Sequence, residues 1–561
     1  MNWKILNKKT PTEINDVLSL LLVNRELNTK EEQEAFLNPL APDKMTAEDL
    51  GIGSKQLKKA LERIKKAVEK KEQIVVFGDY DCDGICSTAI MWSALFSLGA
   101  KVLPFIPDRM EEGYGLSKKA LDHLKRKIPD ASLIITVDHG IVAVEPTKYA
   151  RSLGFEVIIS DHHTLGKKLP QATAIVHTTK LAGSGVAWFL AQQIKKSFAK
   201  KEVEDLDLAA FGTIADLVPL VGPNRSIVKF GLQAFNQTQK VGIQSLVKEC
   251  GLMMGKLGTY EISYVLAPRI NALGRIDNAL DALRLLCTKN PTKAEDLSKR
   301  LCEINGQRQK LTEETVLHAK DLLTISQKTE TKLLFVAHDM YNQGVIGLVA
   351  GKLVEEYYRP AVVVSKGETL SKASARSISG FNIIEAIRSK SEFLLEAGGH
   401  PMAAGFTVET KNLVRLEEEL LKTAEELISD EMLVRLLKID CQLDLNLANM
   451  TLWEELQKLL PCGMANPEPV FASRVEVVET RVVGNKGQHL QIKVKPENTT
   501  GPLSPIFPSI AFNQSYLAGK IKTGDIVEIA YSIAKDEWNG GNRLQLKIKD
   551  LKNKVEEKSI I

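Results

Sequence analysis

The sequence predicts an α/β protein: a parallel-sheet domain, a long linking helix, a second α/β domain and a small C-terminal β-barrel. Three observations predict it. From Gln73 to about residue 220, short and continuously apolar runs alternate with helical patterns, as in a parallel sheet covered on both faces. From Asn290 to about Ile325 a single charged helical pattern carries only a narrow apolar stripe, the signature of a helix that bridges two domains. After about residue 435 short alternating runs take over.

Residues 1–50 are polar and read as an N-terminal extension ending near Gly51 and Gly53. The first α/β domain is placed at 51–289. Its strand candidates are IVVFGD (74–79), KVLPFIPD, LIITVDHG, FEVIISDHH and ATAIVHT, and after Gly84 the residues Ile85, Ala89, Ile90 and Ala94 recur at helical spacing. Asn290-Pro291-Thr292 stops one pattern and starts the linking helix (290–328), with Thr292 as the N-cap and Glu295 three residues later. Leu297, Leu301, Ile304 and Leu311 form its apolar stripe. The second α/β domain, 329–430, runs from KLLFVAHD through PAVVVS, a turn at SISGFN and GGHPMAAGFTV to a helix over 411–428. In 431–555, VEVVETRVV, HLQIKVKP, SIAF, DIVEIAYSI and RLQLKIKD, with a hairpin turn at WNGGN (538–542), make five short strands that fit a closed barrel of the OB type. LKNKVEEKSII reads as a frayed tail.

The chain has 561 residues, which suits three or four domains. Its 44% hydrophobic and 26% charged content is that of a soluble globular protein. With 74 basic and 70 acidic residues there is no global basic field, so a nucleic-acid site has to be a local groove. Seven cysteines without a CxxC pair, Cys82 and Cys86 included, predict reduced thiols in a cytoplasm rather than a zinc site. The start, MNWKILNKKTPTEIN, has no apolar signal core, and no run reaches the roughly 18 apolar residues of a membrane span.

The chemistry sits at the strand ends. IVVFGD leads into Asp79, Asp81 and Asp83; LIITVDHG ends in Asp138 and His139; FEVIISDHH ends in Asp161, His162 and His163; GTIADLVPL carries Asp216. In an open parallel sheet the carboxyl ends of the strands share one crevice. A single strand-end Asp is most often a helix cap or turn former. Four such segments converging would crowd carboxylates that repel one another unless a cation lies between them. Oxygen ligands with one or two imidazoles suit Mn²⁺ or Mg²⁺, and two such ions about 4 Å apart form a clamp for phosphoryl-ester hydrolysis. Asp161 is expected either to bind a cation or to orient a histidine, and His139 either to bind or to pack.

GDYDCDG, VDHG, DHH and TIADLVPL, in this order, resemble the four motifs of the DHH phosphoesterase superfamily, and SARSISGFN and GGHPMAAGF resemble the DHHA1 domain that accompanies it. PRINALGR (268–275) and PCGMANPEP (461–469) narrow the resemblance to the branch of bacterial exonucleases that degrade single-stranded DNA from the 5′ end. The resemblance implies that Asp81, Asp83, Asp138, His162, His163 and Asp216 are metal ligands and catalytic residues holding two divalent cations, Mn²⁺ or Mg²⁺. Relatives often carry a histidine where this chain has Phe77, and Asp79 is expected to supply the missing ligand. The resemblance also implies a phosphate grip by Arg109, Arg275, Ser374, Arg376, Gly398, Gly399 and His400, near Arg269 and Asn271. Arginine makes bidentate phosphate contacts, and paired glycines admit close backbone approach. On the barrel, Lys486, His489, Lys493 and Trp538 are candidates to bind a single strand.

The implied activity is 5′→3′ hydrolysis of single-stranded DNA in repair and recombination, with a small-molecule or oligonucleotide DHH phosphoesterase as the alternative. The implied partners are single-stranded DNA, a single-strand-binding protein and a helicase, for a cytoplasmic monomer that touches no membrane. Three places depart from the family pattern: His177-Thr178-Thr179, Tyr341-Asn342-Gln343-Gly344, and Cys462 and Ala465 in the late motif. None is a predicted ligand, so activity is expected to survive.

Overall fold

The β-branched run Ile74-Val75-Val76 ends in Phe77, and all four are fully buried in an interior strand of a five-stranded sheet. The computed structural model describes residues 1–109, 111–113, 115–200, 204–497, 505–536 and 543–553. Trp538, the turn at 538–542 and most of the expected tail lie outside them. The chain forms two compact units, one of residues 52–216 and 234–435, the other of residues 1–51, 217–233 and 436–561.

In the first unit, β1 (Gln73–Phe77) is followed by α1 (Cys82–Ser97), β2 (Val102–Phe105), β3 (Ala131–Val137), β4 (Glu156–Asp161) and β5 (Ala174–His177). The sheet order is β2–β1–β3–β4–β5, all parallel. α2 (Gly183–Ser197) and α3 (Leu206–Ala215) pack against α1, and a π-helical segment, Glu261–Leu266, runs into α4 (Ala267–Ile276). The linking helix, α5, spans Pro291–Ile325. Its N-cap is Asn290, whose side chain accepts from the Lys293 amide at 3.1 Å, and not Thr292. Pro291 decides this: it suits the first helical position, which moves the cap one residue before it. Leu297, Leu301 and Ile304 are buried as expected.

Beyond α5, β6 (Leu334–His338), β7 (Ala361–Ser365), β8 (Leu370–Arg376), β9 (Leu394–His400) and β10 (Ala403–Glu409) form a sheet ordered β9–β10–β8–β7–β6, parallel only between β6 and β7. The Gly398-Gly399 pair is part of a strand: β9 pairs with β10 through Gly398↔Gly405 and Gly399↔Ala404. A 15-residue helix, Leu413–Leu427, covers this sheet.

The second unit holds the barrel. β11 (Phe471–Val483), β12 (His489–Pro496), β13 (Phe507–Ala511), β14 (Ile526–Lys535) and β15 (Leu544–Asn553) pair in the order β11–β12–β13–β15–β14, and β14 returns to β11, closing the ring. Alternate residues, among them Val475, Val477, Leu490, Ile492 and Val494, fill the interior. The late motif is built around a buried arginine. Arg225 is fully buried against the Phe36 ring, 3.8 Å from its centroid, and donates to the carbonyls of Phe36, Lys458, Leu459, Leu460 and Pro461 at 2.7–3.3 Å. Asn466 donates to Leu459 and Pro461. Among the described residues no helix is long and apolar enough to cross a membrane.

Candidate metal centre and phosphate crevice

The parallel sheet delivers its strand ends to one edge. Asp79 and Asp81 follow β1. Asp81 caps α1, accepting from the Gly84 amide at 2.9 Å, while Asp79 accepts from the Tyr80 amide. The loop lies tight against the helix start: a Cβ on Gly84 would fall 2.6 Å from Asp79 Cβ. Asp138, at the end of β3, adopts a left-handed backbone (φ 67°) with its amide bonded to Ser160 O at 3.0 Å. Aspartate tolerates this region better than a branched residue does.

Three overlapping groups of side chains bring ligand atoms within 4.8 Å of one another: Asp138, Asp161, His162 and His163; Asp83, His162 and Asp216; and Asp79, Asp81 and Asp138. His162 Nε2 lies 3.1 Å from Asp138 Oδ1 and 3.6 Å from Asp216 Oδ2. Every one of the seven expected ligands thus falls in one cluster.

The electrostatics show what the cluster is suited to hold. Burial, and then the charge of Asp83, push Asp138 well above the ordinary carboxylate range. Burial and then Asp81 do the same to Asp79, and burial, Asp83 and Asp81 push Asp216 up to about 9. Asp83 Oδ2 is buried without a hydrogen-bond partner, and Asp138 Oδ1 accepts no hydrogen bond despite the nearby His162. A buried carboxylate oxygen without a donor is costly. Hard divalent cations fit this donor set of carboxylate oxygens with imidazole nitrogens.

Asp161 behaves differently. Its Oδ1 accepts from the amides of His162 and His163 and from His163 Nδ1 (2.8 Å), and its Oδ2 accepts from the Ile141 amide (2.8 Å). Although burial opposes ionisation, these donors hold the carboxyl below its usual range. In return, against the effect of burial, Asp161 raises His163 to about 9. Asp161 therefore orients His163. His139 turns away from the cluster: its Nε2 faces Phe77 O at 2.9 Å, its ring packs on Phe77, and burial lowers it to about 4.

Several positioning residues gave no sequence signal of that role, although Gly212 lies in GTIADLVPL and Asn271 in PRINALGR. A Cβ on Gly183 would lie 2.2 Å from Asp138 Oδ1, and one on Gly212 would lie 2.3 Å from Asp83 Oδ1. Both positions require glycine because the ligands press directly on the backbones of α2 and α3. The Ser184 amide donates to Asp83 Oδ1 at 3.0 Å. Asn271 Oδ1 accepts from the Cys82 amide, between two acids of the loop, so α4 clamps the loop from outside.

Tyr80, in the same loop, lines a crevice of about 910 Å³ together with Arg109, Arg275, Lys372, Ser374 and Arg376. Arg109 sits over the Tyr80 ring at 5.2 Å. Arg275 Nη1 reaches Gly344 O (3.4 Å), and Arg376 Nη1 reaches Ser374 Oγ (3.3 Å). Gly398 lines the crevice as well, whereas Gly399 and His400 are exposed and do not. Gly399 has a local explanation: φ is 140°, and a Cβ there would meet Ala403 O at 2.3 Å.

On the barrel, Lys486 is exposed, and Lys493, though exposed, is ion-paired with Glu479 at 2.6 Å. His489 packs edge-on against Phe512, which is exposed, as is Tyr516. These two aromatics were not legible as platforms because neither lies in a motif.

A metal-binding α/β phosphoesterase is the class this geometry defines, and residues 73–213 match the DHH family N-terminal domain and 330–430 the DHHA1 domain. Residues 439–550 match the RecJ OB domain. Curated relatives named single-stranded-DNA-specific exonuclease RecJ include one from Bacillus subtilis (35% identical, 98% of this chain and 70% of the relative) and one from Thermus thermophilus (32%, 98% and 79%). The crystal structure of Thermus thermophilus RecJ in complex with Mn²⁺ superposes with a TM-score of 0.82 at 29% identity, covering 98% of this chain and 79% of that one. The chain belongs to the RecJ family.

Proposed function

We infer that the chain is a single-stranded-DNA-specific exonuclease that hydrolyses phosphodiester bonds, from the 5′ end, with two divalent cations, Mn²⁺ or Mg²⁺. The observation that carries this reading is one of adjacency. A cluster of acids and histidines with orphaned carboxylate oxygens adjoins a crevice whose Arg109, Arg275 and Arg376 have no carboxylate within ion-pair distance among the described residues. The family membership and the RecJ-type barrel support a polynucleotide substrate over the small-molecule alternative.

Asp79, Asp81, Asp83, Asp138, His162, His163 and Asp216 would hold the cations. Bound there, such ions neutralise charge on the phosphoryl oxygens and lower the pKa of the attacking water. The chain's own residues do the rest. Asp161 holds the Nδ1–H of His163 and so leaves its Nε2 as the nitrogen with a free lone pair. Gly183 and Gly212 let α2 and α3 close on Asp138 and Asp83. Arg109, Arg275, Ser374 and Arg376 bind the strand's phosphate, and Gly398 leaves open space beside it. The exposed Phe512 and Tyr516, with the half-buried His489, give the barrel a surface on which bases can stack. Seven free cysteines support a reducing cytoplasm, where a monomer would meet strands opened by a helicase and coated by a single-strand-binding protein.

Digestion of end-labelled single- and double-stranded DNA, with and without Mn²⁺, tests the reading. It predicts stepwise loss from the 5′ end of the single strand, blocked by chelator. Equal attack on duplex, loss from the 3′ end, or activity in chelator would contradict it.

A further inference from the structure

The linking helix carries a polar stripe that its bridging role does not explain. Asn305 is 2% exposed, and its Oδ1 has no hydrogen-bond partner; one turn on, the buried Nε of Arg308 has none either. The two residues share a face of α5, being three apart. On the same face, Cys302 accepts from Arg269 Nε of α4 at 3.2 Å, and Arg269 also donates to Val265 O. Arg269 therefore points at the stripe while its own hydrogen bonds go to groups without negative charge. No carboxylate lies within ion-pair distance of Arg269 or Arg308 among the described residues. By contrast Arg300, on the same helix, pairs with both Asp277 and Asp281.

Buried donors and cations without acids are costly unless an anion joins them. Burial, and then the charge of Arg269, lower Arg308. Burial, and then Arg109, Arg308 and Arg376, lower Arg275 to about 10. Arg269 and Arg275 lie six residues apart on α4, about 9 Å along its axis, which sets the stripe beside the crevice, although Arg269 and Arg308 do not line it.

We propose that Arg308, supported by Arg269, binds an internal phosphodiester of the single strand, further along than the phosphate held by Arg275 and Arg376. A guanidinium can grip two phosphate oxygens at once. This rests on the proposed substrate and adds a second anchor, which ties affinity to strand length.

The test uses the full chain carrying Asp138→Ala, so that binding is read without hydrolysis. The probe is a 5′-phosphorylated oligothymidylate of about 12 nucleotides. Single neutral methylphosphonate linkages are walked along it. With Arg308 intact, one internal linkage should lose about tenfold in affinity when neutralised, apart from the linkages nearest the 5′ phosphate. Arg308→Gln should silence that position alone and reduce the slope of log affinity against log salt by about 0.7. Lys310→Ala, an exposed residue 3.9 Å from Glu314, should change neither. The same penalty profile in Arg308→Gln as in its parent, or a uniform drop at every position, would overturn the contact. A parent that ignores the single strand altogether would overturn the functional reading and the contact with it.

Discussion

The two units each bury charge, and they treat it in opposite ways. Arg225 is surrounded by five backbone carbonyls that accept every direction its guanidinium offers, so it is a finished structural element. Asp83 and Asp138 are also buried, and Asp216 half-buried, but they face one another, and Asp83 Oδ2 and Asp138 Oδ1 accept nothing. Satisfied buried charge marks architecture; unsatisfied buried charge marks a place where something binds.

Removing a residue from each side should break the comparison unequally. Asp138→Ala is expected to cut single-strand hydrolysis on the order of a thousandfold or more. It should also leave the metal-free protein as stable as before or more so, because a buried carboxyl oxygen without a hydrogen-bond partner is gone. Melting curves in chelator, set beside rate measurements, check both halves. Arg225→Ala should do the reverse. It strands several buried carbonyls and should cost about 3 kcal/mol or more of stability, seen as a fall in melting temperature. Below that melting point, the Mn²⁺ affinity should stay near that of the parent.

Next in size is Gly183→Ala. The added methyl must displace Asp138, and a ligand shifted by about 1 Å can cost on the order of 100-fold in kcat. A rate that does not change would mean that Asp138 is free to move and its position unimportant. The smallest effect should come from Asp161→Asn, which keeps the shape but loses the charge that orients His163. A loss of about 10–100-fold in Mn²⁺ affinity is expected, read by calorimetry.

The strand-end acids were legible because parallel strands deliver their carboxyl ends to a common edge, so order in the sequence became proximity in space. The barrel was legible because its strands alternate at period two and close in sequence order, apart from β15 inserting between β13 and β14. Gly183 was not legible, and Gly212 and Asn271, though inside GTIADLVPL and PRINALGR, were not legible as positioning residues. They act by close approach between elements far apart in the chain, and a lone glycine or asparagine carries no periodicity. Gly399 and His400 lie outside the crevice lining, and the positive φ of Gly399 has a local reason, the close approach of β10 beside it. The N-cap of the linking helix moved from Thr292 to Asn290 because Pro291 fixes the first helical position. The late motif read as a family mark, but its packing around Arg225 depends on a residue more than 200 positions earlier.

The central claim is that the orphaned carboxylates exist to hold divalent cations. Counting Mn²⁺ bound per chain, by calorimetry or by the loss of free-ion paramagnetic resonance signal, tests it most directly. The claim predicts two ions per chain in the parent protein and weakened or lost binding in Asp138→Ala, with Arg225→Ala binding as the parent does while folded. A parent that binds no Mn²⁺, or an Asp138→Ala variant that binds as the parent does, would contradict it.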